Sequence, residues 1–216
     1  MRRHFRHLSG ILACFTGLAI VAATSAPALA ESNKVVSVEE HWELQISEPD
    51  TERSAPQTTM VMSPNGNVAG VHFLFTLNHA NVPEYAPGGL QVQSWLGGEL
   101  VHEHTANSNV ALNHSNEVIR WTQRLSLQDG NLQFQIRDGE SETWGAFGGD
   151  ELTLEVATLQ SNLNSYRPSV SLGESQVGYA ENRVVSLTLT KLVWVTEDGQ
   201  VHEQNAPIPI DTSLDN

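Results

Sequence analysis

The sequence predicts an all-β protein, built as a single antiparallel β-sandwich of about ten strands. Three observations predict this fold class. Apolar and polar residues alternate with a period of two along several stretches, turn sequences separate those stretches, and no window of about twelve residues carries a helical stripe. We expect each sheet to bury one face against the other, and we favour a jelly-roll arrangement of the strands.

The first strand is predicted between residues 36 and 46. Apolar residues occupy alternate positions of this segment, namely Val36, Val38, Trp42, Leu44 and Ile46. Glu40 is the one acidic residue on that apolar face. The same alternation predicts strands at residues 71–77, 90–92 and 152–156.

Three glycine-containing turns predict hairpins. Asp129-Gly130 separates two alternating segments, and this pair tolerates the positive φ angles of a tight turn. Glu197-Asp198-Gly199 and Gly97-Gly98 provide the second and third turns. Residues 138–150 and 160–181 lack the alternation and predict long loops, where binding residues are commonly found.

Residues 1–30 resemble a secretory signal peptide. A basic start precedes an apolar stretch that is too short to span a membrane, and Ala28-Leu29-Ala30 matches a small-x-small cleavage site. We therefore expect cleavage before Glu31 and an exported protein, either periplasmic or secreted.

The predicted mature chain is one domain, residues 31–216, with the sandwich core at 35–203 and a short tail at 204–216. Such a length is sufficient to bury a core without disulfides. The one cysteine of the chain, Cys14, lies in the leader. The segment that ends at Cys14 also resembles a lipoprotein cleavage box, and the alternative that Cys14 carries lipid stays open.

The charge of the chain argues against two classes of partner. The sequence has 11 Lys and Arg against 25 Asp and Glu, which gives a formal net charge of −14. Cleavage after the leader would remove Arg2, Arg3 and Arg6 but no acidic residue, and so change the net charge to −17. Nucleic acids and anionic membrane surfaces are bound by basic patches. We therefore expect neither partner, and no membrane insertion after cleavage.

His102 and His104 form a candidate metal site. Side chains alternate along a strand, so the two imidazoles lie on one face. A neighbouring strand would have to supply a third ligand, for which the candidates are His72, His79 and His114. The pair resembles the His-x-His motif of the cupin family, although the carboxylate that follows in that family is missing from Thr105-Ala106-Asn107-Ser108. The alternative is two polar residues on the solvated face of a hairpin strand.

Glu151 and Glu155 are a candidate carboxylate pair. Their segment resembles the strand of laminarinase-type glycoside hydrolases that carries Glu, Asp and Glu in alternation, but Thr153 stands at the Asp position. On a strand the two carboxylates are about 13 Å apart. Glycoside hydrolysis uses about 5–9.5 Å, so we interpret both as part of a solvated strand face.

We expect no cofactor, with calcium as the alternative. Hard oxygen ligands are concentrated at residues 138–142 and 149–151, without the spacing of a dedicated calcium loop. The sequence contains no Gly-x-Ser-x-Gly elbow, phosphate loop or dinucleotide fingerprint. We therefore assign no catalytic residues.

Aromatic and amide side chains in the two long loops form the candidate ligand site. These residues are Trp144, Phe147, Asn162, Asn164, Tyr166 and Arg167. Flat aromatic faces and amide groups suit the recognition of sugars. The alternative is that the aromatic rings fold inward and close one end of the sandwich.

The pattern of residues 35–202 resembles that of the concanavalin-A-like and carbohydrate-binding sandwiches, but no motif of those families is matched, and the loop aromatics are what favour a binding function. We therefore predict a non-catalytic exported binding module, with a glycan as its ligand. Two alternatives stay open, a hydrolase or lyase that acts on polysaccharide and a structural surface or matrix protein. Burial of the loop aromatics would remove the basis for the glycan ligand.

Overall fold

The computed structural model describes residues 33–48, 56–79, 88–108, 110, 112, 114–205 and 207–210. The predicted leader, with Cys14, and the end of the predicted tail lie outside these residues. The described strands are β1 (Val35–Ile46), β2 (Gln57–Met62), β3 (Val71–His79), β4 (Gly89–Leu96), β5 (Glu99–Ala106), β6 (Val118–Gln128), β7 (Asn131–Ser141), β8 (Gly145–Phe147), β9 (Thr153–Ala157), β10 (Gln176–Gly178), β11 (Val184–Thr196), β12 (Val201–Gln204) and β13 (Ile208–Pro209).

One α-helix and two 3-10 turns connect these strands. The helix, α1, spans Pro168–Glu174, and the turns span Asp150–Leu152 and Glu181–Arg183. No helix in the described part of the chain has the length and apolar character needed to cross a membrane.

The strands form two antiparallel sheets, which confirms the predicted all-β sandwich. The eight-stranded sheet has the order β12-β11-β1-β6-β7-β8, with β13 paired to β11 and β9 paired to β7. The five-stranded sheet has the order β10-β2-β3-β4-β5. These orders do not confirm the jelly-roll arrangement.

The three predicted hairpins are present. Asp129 and Gly130 join β6 to β7 with φ angles of 49° and 81°, and Gly97-Gly98 joins β4 to β5 with φ angles of 59° and 86°. Between β11 and β12, the amide of Thr196 donates to the carbonyl of Gln200 at 3.0 Å. Glycine adopts positive φ without a steric penalty, and for this reason the sequence signal located the turns correctly.

The core lies between the sheets and is built from alternate strand residues. Phe73 of β3 stacks on Phe134 of β7 with ring centroids 5.1 Å apart, so the two sheets are in direct contact. Phe75 meets Trp121 edge to face at 5.8 Å. Further large side chains that are fully buried are Trp42, Leu44, Ile46, Met60, Met62, Leu77 and Leu90.

The acidic residue on the apolar face of β1 lies inside this core. Glu40 is 0% exposed. Its carboxyl group accepts hydrogen bonds from Trp42 Nε1 at 3.0 Å, Gln123 Nε2 at 3.3 Å, Ser171 Oγ at 2.5 Å and the hydroxyl of Tyr166. Burial raises the pKa of Glu40, while the four hydrogen bonds act to lower it. A buried carboxyl group is costly unless it is hydrogen-bonded, so these donors explain how β1 tolerates it.

The connection between β9 and β10, residues 158–175, contacts both sheets, and we call it the closing connection. At β1, the amide of Leu163 donates to the carbonyl of Val35 at 2.7 Å. At β2, Ser175 Oγ accepts a hydrogen bond from the amide of Val61 at 2.9 Å. The connection therefore ties β1 of the larger sheet to β2 of the smaller sheet.

Candidate functional site

The free edges of β5 and β9 form the candidate site, which we call the edge cleft. Among the described residues, β5 pairs only with β4, and β9 pairs only with β7. The two free sheet edges enclose a cleft of about 420 Å³. It is lined by His102, His104, Gln133, Asp150, Thr153, Leu154 and Glu155.

β5 contributes two imidazoles to the edge cleft. His102 pairs with Ser94 and His104 pairs with Val92, and both of these β4 residues are fully buried. The two-residue repeat therefore directs both imidazoles to the inner side of the sheet, at the margin of the core. The first seven residues of β5 are all exposed, so its outer edge is accessible along nearly its whole length.

The opposite wall comes from a 3-10 turn and β9. Gly149 precedes the turn with a φ angle of 84°, a conformation that favours glycine. Thr153 Oγ1 donates to the Gly149 carbonyl at 2.7 Å and fixes the start of β9. Gln133 Nε2 donates to Glu155 at 2.9 Å. Asp150 and Glu155 thus bring two carboxylates to the cleft that holds the two imidazoles.

The structure places His102 and His104 on one face, but it does not add the third metal ligand. In the described part of the chain, no three His, Asp or Glu side chains are arranged to hold a metal ion. His72 stacks on Trp95 on the outer face of the five-stranded sheet, and His114 lies 3.5 Å from Glu142. Metal binding by the histidines and calcium binding both stay predictions.

Three of the predicted ligand residues, Trp144, Phe147 and Tyr166, belong to the core. Their exposed fractions are 8%, 9% and 0%. Phe147 meets Trp144 edge to face at 6.5 Å and stacks on Phe75 at 6.2 Å. Gly139 leaves room for this ring, since a Cβ atom there would lie 2.3 Å from Phe147.

The other predicted ligand residues have partners within the connection between β9 and β10 or on β1. Asn164 Oδ1 accepts from the amide of Val35 at 2.9 Å, and Asn162 Oδ1 accepts from the amide of Asn164 at 3.1 Å. Arg167 Nη1 donates to the carbonyls of Asn164 and Tyr166 at 2.9 Å and 2.7 Å. Each of these three polar side chains is therefore hydrogen-bonded to the backbone.

The predicted carboxylate pair is separated by a change of backbone conformation. Glu151 lies in the 3-10 turn, whereas β9 begins only at Thr153. The interpretation that Glu151 and Glu155 share a strand face is therefore wrong. Glu155 lines the edge cleft and Glu151 does not.

The outer face of the eight-stranded sheet carries a network of ion pairs. Arg124 and Arg137 both approach Glu39 Oε1, at 3.6 Å and 3.2 Å. His41 lies beside this cluster, and its pKa is lowered first by burial and then by the charge of Lys191, while Glu39 raises it. Because opposite charges are matched here, we interpret this face as structural.

The convergence of the four ionisable side chains in the edge cleft is not visible in the sequence. The sequence indicates Asp150 only as a candidate calcium ligand and Glu155 only as part of a solvated strand face. Both contribute to the cleft because β9 is placed opposite β5, and that placement depends on pairing between distant strands. No local pattern encodes it.

Comparisons with known proteins assign no family to the chain. No family model matches the sequence, and no curated protein matches it. Among solved structures, the chain is similar to Scytalido-glutamic peptidase with a peptide-based transition-state analog. The TM-score is 0.34 and the identity 8%, over 81% of this chain and 82% of that chain.

A second solved structure with a similar arrangement is SCP-B, a member of the Eqolisin family of peptidases, in complex with the tripeptide Ala-Ile-His. Its TM-score is 0.31 and its identity 9%, over 81% of each chain. The likeness is one of β-rich architecture and assigns no activity to this chain.

The prediction of a non-catalytic glycan-binding module is wrong. The aromatic residues on which it depended, Trp144, Phe147 and Tyr166, are buried and offer no flat face to a sugar. Their burial removes the reason to assign a sugar ligand.

Proposed function

We propose that this protein binds an extended segment of polypeptide as an added strand on the free edge of β5. The observation that carries the proposal is the edge cleft itself. There the accessible edge of β5 faces the free edge of β9, and the space between them has a volume of about 420 Å³. Free strand edges present unpaired amide and carbonyl groups and act as templates for pairing with another chain.

The backbone of β5 is regular enough to support such pairing. Its register with β4 runs without interruption from Ser94 opposite His102 to Leu90 opposite Ala106. In an antiparallel pair, alternate residues direct their amide and carbonyl groups away from the partner strand. β5 therefore presents a row of donors and acceptors with strand spacing to a ligand.

The side chains favour a ligand with basic residues. Alternate side chains of an added strand would point into the edge cleft, toward Asp150 and Glu155. The chain as a whole carries a formal net charge of −14, which attracts cationic ligands and repels anionic ones. A second copy of this acidic chain is a poorer partner for the same reason.

The proposal is tested with labelled ten-residue peptides that contain alternating Lys and Val or alternating Glu and Val. We expect the Lys peptide to bind in fluorescence polarisation and the Glu peptide to bind more weakly. A Lys peptide with an N-methyl group at every second residue loses its donors along one edge, and its affinity should fall by more than about tenfold.

Equal affinity for the N-methylated peptide would contradict strand addition, and so would the absence of binding by every peptide. Hydrogen exchange gives an independent readout, because the bound Lys peptide should protect amides of residues 99–106. If these amides are protected in a stable dimer without peptide, the occupant of the edge is a second copy and the proposal fails.

A matched pair of variants locates the ligand. Asp150 and Glu151 are adjacent, exposed and acidic, but only Asp150 lines the edge cleft. Asp150→Lys should weaken binding of the Lys peptide by about three- to tenfold. Glu151→Lys makes the same change in net charge and should have a smaller effect.

A second candidate function is hydrolysis of the bound peptide. The observation that favours it is the presence of two imidazoles and two carboxylates in one cleft, because both groups serve as general acids and bases. Mass spectrometry of the incubated Lys peptide tests it. New fragments that disappear in the His102→Gln and His104→Gln variants would establish hydrolysis. An intact peptide would show that the protein binds the peptide without cleaving it.

We also propose that the mature protein begins at Glu31 and acts outside the cytoplasm. The support is the leader pattern of residues 1–30. Intact mass measurement of the protein from its native cells should give the mass of residues 31–216. A retained leader, or a lipid on Cys14, would contradict this proposal.

A further inference from the structure

A hydrogen-bonded row crosses the outer face of the five-stranded sheet, and we call it the Glu103 network. Trp95 Nε1 donates to Gln93 Oε1 at 3.2 Å, and Gln93 Nε2 donates to Glu103 Oε2 at 3.3 Å. The indole therefore fixes which way the Gln93 amide points. This orientation brings an N–H donor, and not a carbonyl oxygen, to Glu103.

A second amide donates to the same carboxylate oxygen. Gln91 Nε2 lies 3.5 Å from Glu103 Oε2 and 3.1 Å from His79 Nε2. Gln91 is itself 6% exposed, so its position is fixed by packing. Among the described residues, no side chain or backbone group is hydrogen-bonded to Glu103 Oε1, which lies on an exposed residue of the free edge strand.

No Lys or Arg on the strands around Glu103 neutralises its charge. The sequence contains no Lys or Arg between Arg53 and Arg120, so β2, β3, β4 and β5 carry none. On the other sheet three glutamates have basic partners: Arg120 contacts Glu43 at 2.8 Å, and Glu39 and Glu203 are paired in the same way. The Glu103 network is thus an oriented carboxylate with amide donors on one oxygen and no Lys or Arg on its own or neighbouring strands.

We infer that Glu103 recognises a Lys or Arg side chain of the polypeptide that adds to β5. The inference rests on the proposed function and names the residue class that the site selects. A residue directly opposite Glu103 in an added antiparallel strand would have its Cβ atom about 4.5–5.5 Å from that of Glu103. Its ammonium or guanidinium group then reaches the unoccupied Oε1 atom at the open edge.

The experiment is a lysine scan through a ten-residue peptide of alternating Val and Thr, read by fluorescence polarisation. One peptide series carries the single Lys at positions that face the outer side of the sheet, and the other series at positions that face the edge cleft. We expect one outward position to bind about fivefold more tightly than the peptide without Lys.

Variants of the protein assign that preference to Glu103. Glu103→Gln keeps the shape of the side chain and should abolish the preference at the outward position. Glu99→Gln changes another exposed acid of β5 and should leave it intact. Glu103→Lys should transfer the preference to a peptide with Glu at the same position.

The outcomes separate the inference from the proposed function. If peptides bind but the outward preference is absent, or persists in Glu103→Gln, the inference is wrong while strand addition stands. If no peptide protects the amides of β5, the proposed function fails as well. Circular dichroism of each variant verifies that the sandwich is folded.

Discussion

The hydroxyl of Tyr166 donates a hydrogen bond to the buried carboxyl group of Glu40, across 126 positions of sequence. This contact joins the closing connection to β1 in the middle of the core. It also accounts for the acidic residue on an otherwise apolar strand face. The pKa of Tyr166 is raised well above its ordinary value, first by burial and then by Glu40, so its hydroxyl stays a donor.

Removal of this donor should destabilise the fold. Tyr166→Phe leaves the aromatic ring in place but deprives a buried carboxyl group of one of its four partners. We expect a loss of about 1–3 kcal/mol in the free energy of unfolding, measured by urea denaturation. Tyr179→Phe is the control, because Tyr179 is 53% exposed. Equal effects of the two substitutions would contradict the role of the contact.

The stability of the protein should depend on pH through Glu40. Burial raises the pKa of Glu40 above 4.5 in the folded state, so protonation favours folding. This contribution is fully present below the pKa of the unfolded chain and is lost as the pH rises through the raised pKa of the folded state.

The Glu40→Gln variant isolates this dependence, because the other carboxyl groups titrate equally in both proteins. The unfolding free energy of the wild type, minus that of Glu40→Gln, should fall from about pH 4.5 upward by at most about 1.4 kcal/mol per pH unit. Urea denaturation at a series of pH values measures it. A constant difference would show that the pKa of Glu40 is not raised.

His41 should titrate below the ordinary histidine value of 6.5. Burial is the largest cause of its lowered pKa, followed by the charge of Lys191, while Glu39 opposes the shift. Nuclear magnetic resonance titration of the imidazole should therefore show a lower pKa in Glu39→Gln and a higher one in Lys191→Met. Shifts in the reverse directions would contradict these causes of the lowered pKa of His41.

The packing of Phe147 against Phe75 and Trp144 should be disturbed by a single added methyl group. In Gly139→Ala, the new Cβ atom would lie 2.3 Å from the Phe147 ring, so the ring must move. We expect a loss of about 1–3 kcal/mol in the free energy of unfolding, measured by urea denaturation. At Gly173 of α1 a Cβ atom would extend into open space, so Gly173→Ala should stabilise the protein by about 0.4–1 kcal/mol. A neutral Gly139→Ala variant would contradict the close packing of the ring.

The strands and hairpins could be predicted because their signals are local. Alternation places Trp42, Leu44 and Ile46 on one face without reference to any other strand, and all three are buried. The Asp129-Gly130 turn is likewise decided by the φ angles that its own residues tolerate. The all-β sandwich follows from such signals alone.

The placement of the loop aromatics could not be predicted in the same way. Trp144 and Phe147 occur in a glycine-rich segment that suits an exposed loop equally well. Their burial depends on Phe75 of the other sheet and on the empty space beside Gly139. The edge cleft could not be predicted for a similar reason. His104 and Glu155 line the same cleft only because of how the two sheets are arranged.

The position of β1 determines how much of the chain must be synthesised before the larger sheet is complete. β1 lies between β6 and β11, and its second partner ends only at Thr196. The β4–β5 and β6–β7 hairpins, by contrast, can form from neighbouring residues. Local hairpins are fast and distant pairing is slow, so a nascent chain that stops before β11 leaves one edge of β1 without its partner.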